Sequence, residues 1–462
     1  MGEIGDEPKG LAARVPFFYG WVMLPVTMLV LMATTPGQTF GVSTFNPYLL
    51  REFGFSQSEL SGAYMLGTLL ASIPMIYIGA LMDRYGARRT LAGVVTLFGL
   101  ACMGMSQTSG LVTVFVGFLF LRMLGQGAMS FLGGNSLAMW FNRKLGFTSG
   151  IMNLGEAFAV GFFPAANLMM IHSFGWRSAY AALGVAVWVL ILPLLALVFR
   201  NRPEDIGQVV DGGVEPQTET DASEAELYRD HTLREAVRTR QYWIMAVATA
   251  LPSMIITGIH FHTVQIYLDH GMLESDAAAM FATYALSFSI IMLIGGVLAD
   301  RVPLNLLLAA SLACLSGGIV LLMQVTDTWT SNLFAIVAGG GQGLFSAVSA
   351  TIWVRYYGRT HLGKIRGGLT TVGVAASSAG PFVMGAGHDF FGGYDEVFWV
   401  FLVVTVPMVG IALFATKPKR EKKIEAFQGL RREARAMSNV ELRISNLEGR
   451  ASSAETGGQT RG

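Results

Sequence analysis

Apolar residues along this chain gather into long, nearly unbroken runs separated by short polar stretches. Twelve runs stand out. They are Phe18 to Tyr48 (interrupted at Pro36-Gly37), Leu60 to Gly79, Leu91 to Met105, Leu111 to Trp140, Phe147 to Ile171 and Ala179 to Phe199. The second six are Tyr242 to Tyr267, Ala277 to Leu298, Leu304 to Met323, Leu333 to Val354, Leu369 to Gly387 and Val397 to Ala415. A helix of about 20 apolar residues spans the hydrocarbon core of a bilayer. A helix also satisfies its own backbone hydrogen bonds, as lipid requires. The pattern therefore predicts an all-α membrane protein with twelve transmembrane helices. Ser56 and Glu59, just ahead of the second run, have capping-box spacing. The first run is too long for a signal-peptide core and lacks a small-residue cleavage site, so it reads as a retained helix.

Composition agrees with the pattern. The chain is 52% hydrophobic and 14% charged over 462 residues, whereas soluble domains carry about 25% charged residues. Cys102 and Cys314 both lie inside apolar runs and read as packing residues rather than a disulfide. Of the 32 Lys and Arg residues, only Arg51 and Arg177 fall in loops of one parity, and Arg122 lies within a run. The rest occupy both ends of the chain and the loops of the other parity, which predicts cytoplasmic termini.

The one long internal loop divides the chain in two. The expected organisation is a cytoplasmic N-terminus over 1–16, a six-helix bundle over 17–200, a cytoplasmic linker over 201–240, a second six-helix bundle over 241–416 and a cytoplasmic tail over 417–462. Asp211 to Glu226, in the linker, has the Gly, Glu, Thr and Ser content of a flexible segment. The basic cluster Lys417, Lys419, Arg420, Lys422 and Lys423 either touches anionic lipid or is a solvated tail that fixes topology.

The halves repeat each other. Gly79, Leu81, Asp83 and Arg84 in GALMDRYGARRT return 217 positions later as Gly296, Leu298, Asp300 and Arg301. Gly125-Gln126-Gly127 returns as Gly341-Gln342-Gly343, and Arg143…Leu145-Gly146 as Arg359…Leu362-Gly363. The duplicated loop resembles the signature between helices 2 and 3 of the major facilitator superfamily of secondary transporters. That resemblance implies two pseudo-symmetric bundles that rock about a substrate site near the membrane midplane. Trp140 to Gly155, WFNRKLGFTSGIMNLG, resembles the helix 5 signature of the monocarboxylate porter family in Phe141, Arg143, Lys144, Leu145, Gly150 and Gly155. Gly175-Trp176-Arg177 and Arg202 to Gly207 also look like bacterial members of that family and of the neighbouring oxalate/formate antiporters. The eighth and eleventh runs lack the cations those families are associated with, and the first run lacks a Lys. A dicarboxylate held between two fixed cations is therefore not expected.

The superfamily resemblance implies a gate at the cytoplasmic end. Asp83, with Arg84 and Arg88, would oppose the start of the eleventh helix after Arg366. Asp300, with Arg301, would face the start of the fifth helix near Phe147. The alternative is that these charges serve orientation alone.

Charges within a span are costly and usually functional. Arg122 precedes Gln126 by four residues and shares its face; it either grips a substrate carboxylate or, as the superfamily resemblance implies, hydrogen-bonds the backbone of the first helix. Glu156 lies about 15 Å into the fifth helix and is either a proton-coupling group or a structural carboxyl. Ser253, Thr257 and His260 form a stripe on the seventh helix, with His262 elsewhere. One of the two histidines either faces the cavity and titrates near neutral pH, which makes His260 a second proton-coupling candidate beside Glu156, or is a satisfied packing residue. Thr35 and Gln38 beside the Pro36-Gly37 break, Tyr64 on the second helix, and Gln342 and Ser346 on the tenth complete the candidate lining.

This lining suits a small organic anion. The expected function is a secondary active transporter of a monocarboxylate-type metabolite, with proton symport as one possibility, acting as a monomer in the cell membrane. Two other readings are an exporter of an amphipathic or uncharged compound and a non-transporting sensor or scaffold. No phosphate-binding loop, metal-ligand spacing or nucleophile–base pair is present, so no enzyme activity, cofactor, metal or nucleic-acid partner is expected.

Overall fold

The computed structural model describes residues 17–142, 144–212, 231–357 and 362–418. Arg143, Arg359, the side chain of Arg366, most of the terminal extensions and the centre of the linker lie outside the described residues. What is described is helical, with no strand among the described residues.

The first run becomes three pieces: α1 (Gly20–Met32), α2 (Thr39–Ser43) and α3 (Asn46–Phe53), with a 3₁₀ turn over Thr35–Gly37 between the first two. Pro36 lacks the N–H that would continue α1. Gly37 lets the carbonyl of Leu121 approach where a side chain would stand. The second run was expected as one helix and is two, α4 (Gln57–Ala71) and α5 (Met75–Tyr85). The break falls on Ser72 to Pro74, since a proline inside a helix removes a donor and clashes with the preceding turn. The Ser56–Glu59 capping box forms as expected at the start of α4.

Next come α6 (Ala87–Ser106), α7 (Leu111–Phe120), a π-helical stretch over Leu121–Met129, α8 (Ser130–Trp140) and α9 (Leu145–Leu197). At 53 residues α9 would be about 80 Å long if straight, far more than a bilayer needs. It breaks at Gly175, whose φ of 79° only glycine adopts easily. After the short α10 (Leu233–Ala236), the second half contains α11 (Arg240–Asp269), α12 (Glu274–Arg301), α13 (Leu304–Leu322), α14 (Thr328–Tyr357), α15 (Leu362–Phe391) and α16 (Asp395–Ala412).

Nine helices among the described residues are long and apolar enough to cross a membrane. The expected twelve segments are reached by counting α9 as two and adding α4–α5 and α15, which are not among the nine.

Most of the buried first half forms one apolar core, while the second half divides into two, nearer its two ends. The halves meet chiefly along two seams, α4 against α15 and α9 against α12, with α11 also packing on α2 and α3. Small residues make the close approach possible. A Cβ on Gly385 of α15 would stand 2.6 Å from the carbonyl of Gln57, and one on Gly161 of α9 would stand 3.2 Å from Ala285.

Candidate functional site

The contacts between halves are concentrated at one end of the bundle, the end away from the chain termini. Asn46 Nδ2 donates to the carbonyl of Phe261 at 2.8 Å, and the Tyr64 ring packs on Phe261 with centroids 4.6 Å apart. The Tyr48 hydroxyl donates to Glu274 Oε2 at 2.6 Å, and His172 Nε2 stands 3.1 Å from that hydroxyl and 3.3 Å from the carboxylate. Asp389 accepts from the backbone N–H groups of Gln57 at 3.2 Å and Ser58 at 2.8 Å.

At the end bearing the termini, no hydrogen bond or ion pair crosses between the halves among the described residues. Among the described residues, several polar groups there pair within the first half and linker or within the second half. Arg88 donates to the carbonyls of Leu195 and Ala196 at the end of α9. Asp211, an αL residue with φ 58°, accepts from the N–H of Asn142 at 3.2 Å. Asp300 pairs with Arg355 of α14, not with the start of the fifth helix as expected. That pairing stays inside the second half, because Arg355 reaches both Asp300 and the carbonyl of Ala299 at the end of α12. Asp83, Arg84 and Arg301 are exposed, and Arg84 lies over the Tyr85 ring at 5.2 Å. Asp83 is expected to oppose the start of the eleventh helix after Arg366, whose side chain lies outside the described residues.

Several residues expected to line the cavity are instead sealed in the closed end. Thr35 is buried and donates to Met32; Gln38 is buried and donates to Thr34 Oγ1 at 3.0 Å. Tyr64 is fully buried and shares a 2.8 Å hydrogen bond with Thr39. Arg122 is 4% exposed. Its Nε donates to Thr68 Oγ1 and its Nη1 to the carbonyl of Gly37, both at 3.1 Å, and the guanidinium lies 4.9 Å from the Tyr64 ring centre. Of the two readings of Arg122, the structure shows the hydrogen bond to the first helix. The Pro36-Gly37 break frees that carbonyl from the helix ladder, and the π-helical stretch carries the arginine.

On α11, His262 is buried between the Pro381 carbonyl at 2.9 Å and the Tyr394 hydroxyl at 3.0 Å, a satisfied packing histidine. His260 packs edge-on against Tyr284 and Phe281 and lines a small pocket inside the second half. Thr257 is half-buried on the same helix.

Glu156 stands differently. Phe158 and Phe162 stack on each other and are 56% and 52% exposed, marking the outer face of α9. Glu156 is exposed too, yet at 100° per residue it lies about 200° around the helix from Phe158, on the opposite side. It therefore looks into the space between the halves. Ser149, Asn153 and Val160 share that inward face at helical spacing, and each is half-buried. Sequence reasoning missed Ser149 and Asn153, though their spacing to Glu156 was a readable signal. On α14, Gln342, Ser346 and Ser349 are half-buried and spaced to share one face. The side-chain carbonyl of Gln342 has no hydrogen-bond partner among the described residues. The same holds for the repeat-related Gln126 and for Ser130 one turn on.

The model of the Major Facilitator Superfamily matches residues 27–330 and 255–448. The chain belongs to the Major Facilitator Superfamily. A superfamily of transporters is not one of enzymes, and the all-α architecture agrees with it.

Among solved structures, a bacterial homologue of the human lysosomal transporter Spinster, in an inward-facing and unoccupied conformation, matches with a TM-score of 0.65. It shares 14% identity, over 86% of this chain and 98% of that one, a likeness of fold. An uncharacterized MFS-type transporter of Escherichia coli is 24% identical, and the chain spans about half of that relative (52%). The nitrite extrusion protein of Bacillus subtilis is 24% identical over 65% of this chain and 72% of its own length. A probable nitrate/nitrite transporter of Mycobacterium tuberculosis is 25% identical over 80% of this chain and 91% of its own. A probable galactarate/D-glucarate transporter of Bacillus subtilis is 26% identical over 32% of each chain. The last three of these relatives are named for small anions, nitrite, nitrate and the sugar diacids.

Proposed function

We propose that this transporter moves a small anion across the cell membrane by alternating access, with both termini in the cytoplasm. The observation that carries the reading is the asymmetry of the two ends. One end is closed by hydrogen bonds between the halves. The other has none among the described residues and leaves Glu156 exposed on an inward-looking face, with Ser149 and Asn153 half-buried beside it. Such an arrangement is one limiting state of two bundles that rock about a central site, here open toward the termini. The Lys and Arg bias puts that open end in the cytoplasm.

Anion transport is supported by the relatives. Within the cleft, the donors available to an anion are the hydroxyls and amides of Ser149, Asn153, Gln126, Gln342 and Ser346, together with Thr257 and His260 once the halves move. Arg122 supports the binding helices from behind. The monocarboxylate reading is one member of this class; nitrate-like ions and sugar acids are others.

Glu156 supports proton symport. An ionised carboxylate beside the site repels an anion, and a protonated one does not, so anion and proton favour each other's presence. Pure protein in liposomes should accumulate its anion when the outside is acidic. Glu156→Gln should abolish that accumulation while keeping anion exchange at equal pH. Wild-type accumulation in Glu156→Gln would remove proton coupling from the account. A second reading, export, is favoured by the likeness to a nitrite extrusion protein, and the same carrier runs outward when the gradients are reversed.

A further inference from the structure

We propose that Glu274 and Asp389 are the two latches of the sealed end, one on each seam, and that they set how often this carrier opens away from its termini. The inference rests on the alternating-access reading above. Both carboxylates belong to the second half, and both are satisfied by groups of the first.

On the seam between α4 and α15, Asp389 accepts from two N–H groups at the start of α4, at 3.2 and 2.8 Å. The first N–H groups of a helix have no partner within it, and a carboxylate there also meets the favourable end of the helix dipole. Ser56 and Glu59 cap the same helix from within, so α4 stays capped when Asp389 leaves. That makes the contact separable, as a latch must be. His388, beside it, stands 3.5 Å from Asp269 and 3.5 Å from Asp389. It thus lies between the latch and the end of α11.

On the seam between α9 and α12, Glu274 is the second residue bridging the halves. Its carboxylate accepts from the Tyr48 hydroxyl at 2.6 Å and stands 3.3 Å from His172 Nε2. Glu274 lies in the first turn of α12, its side chain 16% exposed. When the seam parts, both carboxylates pass to water and the α4 amides and Tyr48 lose their partners together. The two seams are latched by the same chemistry in the same direction, a carboxylate of the second half on donors of the first.

The test is a distance measurement across the sealed end that needs no substrate. Gln107 and Gln324, both exposed and separated by the repeat interval, are replaced by cysteine and spin-labelled in a background lacking Cys102 and Cys314. The unaltered latch should give mainly a short distance. Asp389→Ala together with Glu274→Ala should raise the ratio of long to short populations at least tenfold, with each single change giving part of that rise. Asp389→Asn, which keeps an acceptor for the amides, should stay near the starting ratio. An unchanged distribution in the double variant, or an equal shift in Asp389→Asn and Asp389→Ala, would overturn the proposal. Should the double variant not fold, the single changes carry the same two criteria. Transport of an anion is read separately, so the latch and the function stand or fall apart.

Discussion

Arg122 shows how one residue can be placed correctly and read two ways. Its position within a span was legible in the sequence, but its partners depend on a π-helical stretch and on a freed carbonyl at Gly37, neither of which leaves a periodic signal. With two hydrogen bonds from a buried cation, Arg122→Ala should destabilise the protein by about 2–4 kcal/mol. Arg122→Lys should recover little, because one ammonium cannot reproduce the planar fork. Thermal unfolding in detergent checks this; an unchanged transition with weakened anion affinity would return Arg122 to the substrate. At the closed end, Glu52 accepts from Arg177 at 2.7 Å and Trp176 at 2.5 Å. Those bonds, Arg177's first, hold its carboxyl below the usual glutamate range. Because the folded value is the lower one, its stabilisation is complete above the unfolded value of about 4.3 and is lost as pH falls through the folded value. The melting difference between the parent chain and Glu52→Gln should therefore be present at pH 7 and vanish in strong acid.

At the scale of elements, the apolar runs found the helices because lipid demands long uniform stretches, and the Ser56–Glu59 box marked the start of α4 because capping is local chemistry. The break at Ser72 to Pro74 was missed because it sits in the middle of an apolar run, although Pro74 was its visible cause. The expected cavity lining was only partly recovered. A helix face can be read from spacing, but which faces are sealed depends on which end of the bundle is closed. That is why Thr35, Gln38 and Tyr64 lie in packing while Glu156 lies in the open. The closeness of α4 and α15 gives a sharp prediction at this scale. Gly385→Ala brings a Cβ to 2.6 Å from the Gln57 carbonyl and against the Ser61 side chain, which should cost about 1–3 kcal/mol in thermal unfolding. Gly104→Ala, with nothing within 4 Å, should be neutral or slightly stabilising.

For the whole molecule, the internal repeat was the most informative feature of the sequence, since it implied two similar bundles before any contact was known. What the repeat does not contain is the asymmetry between the two ends. Asp83 and Asp300, its best-matched acids, lie at the open end, whereas Glu274 and Asp389, whose counterparts at the repeat interval are Gln57 and His172 rather than acids, hold the closed one. Their signal was faint: two carboxylates at the edges of apolar runs, on the side of the membrane almost empty of Lys and Arg.

The most direct test of a carrier with one central, alternately exposed site is counterflow. Purified protein is reconstituted into liposomes loaded with one unlabelled anion, and uptake of the same labelled anion is followed for nitrate, nitrite, lactate, galactonate and glucarate. The account predicts saturable uptake of at least one of these, accelerated several-fold by the unlabelled anion inside. Uptake no different from protein-free liposomes for every anion, with correctly folded protein, would contradict it.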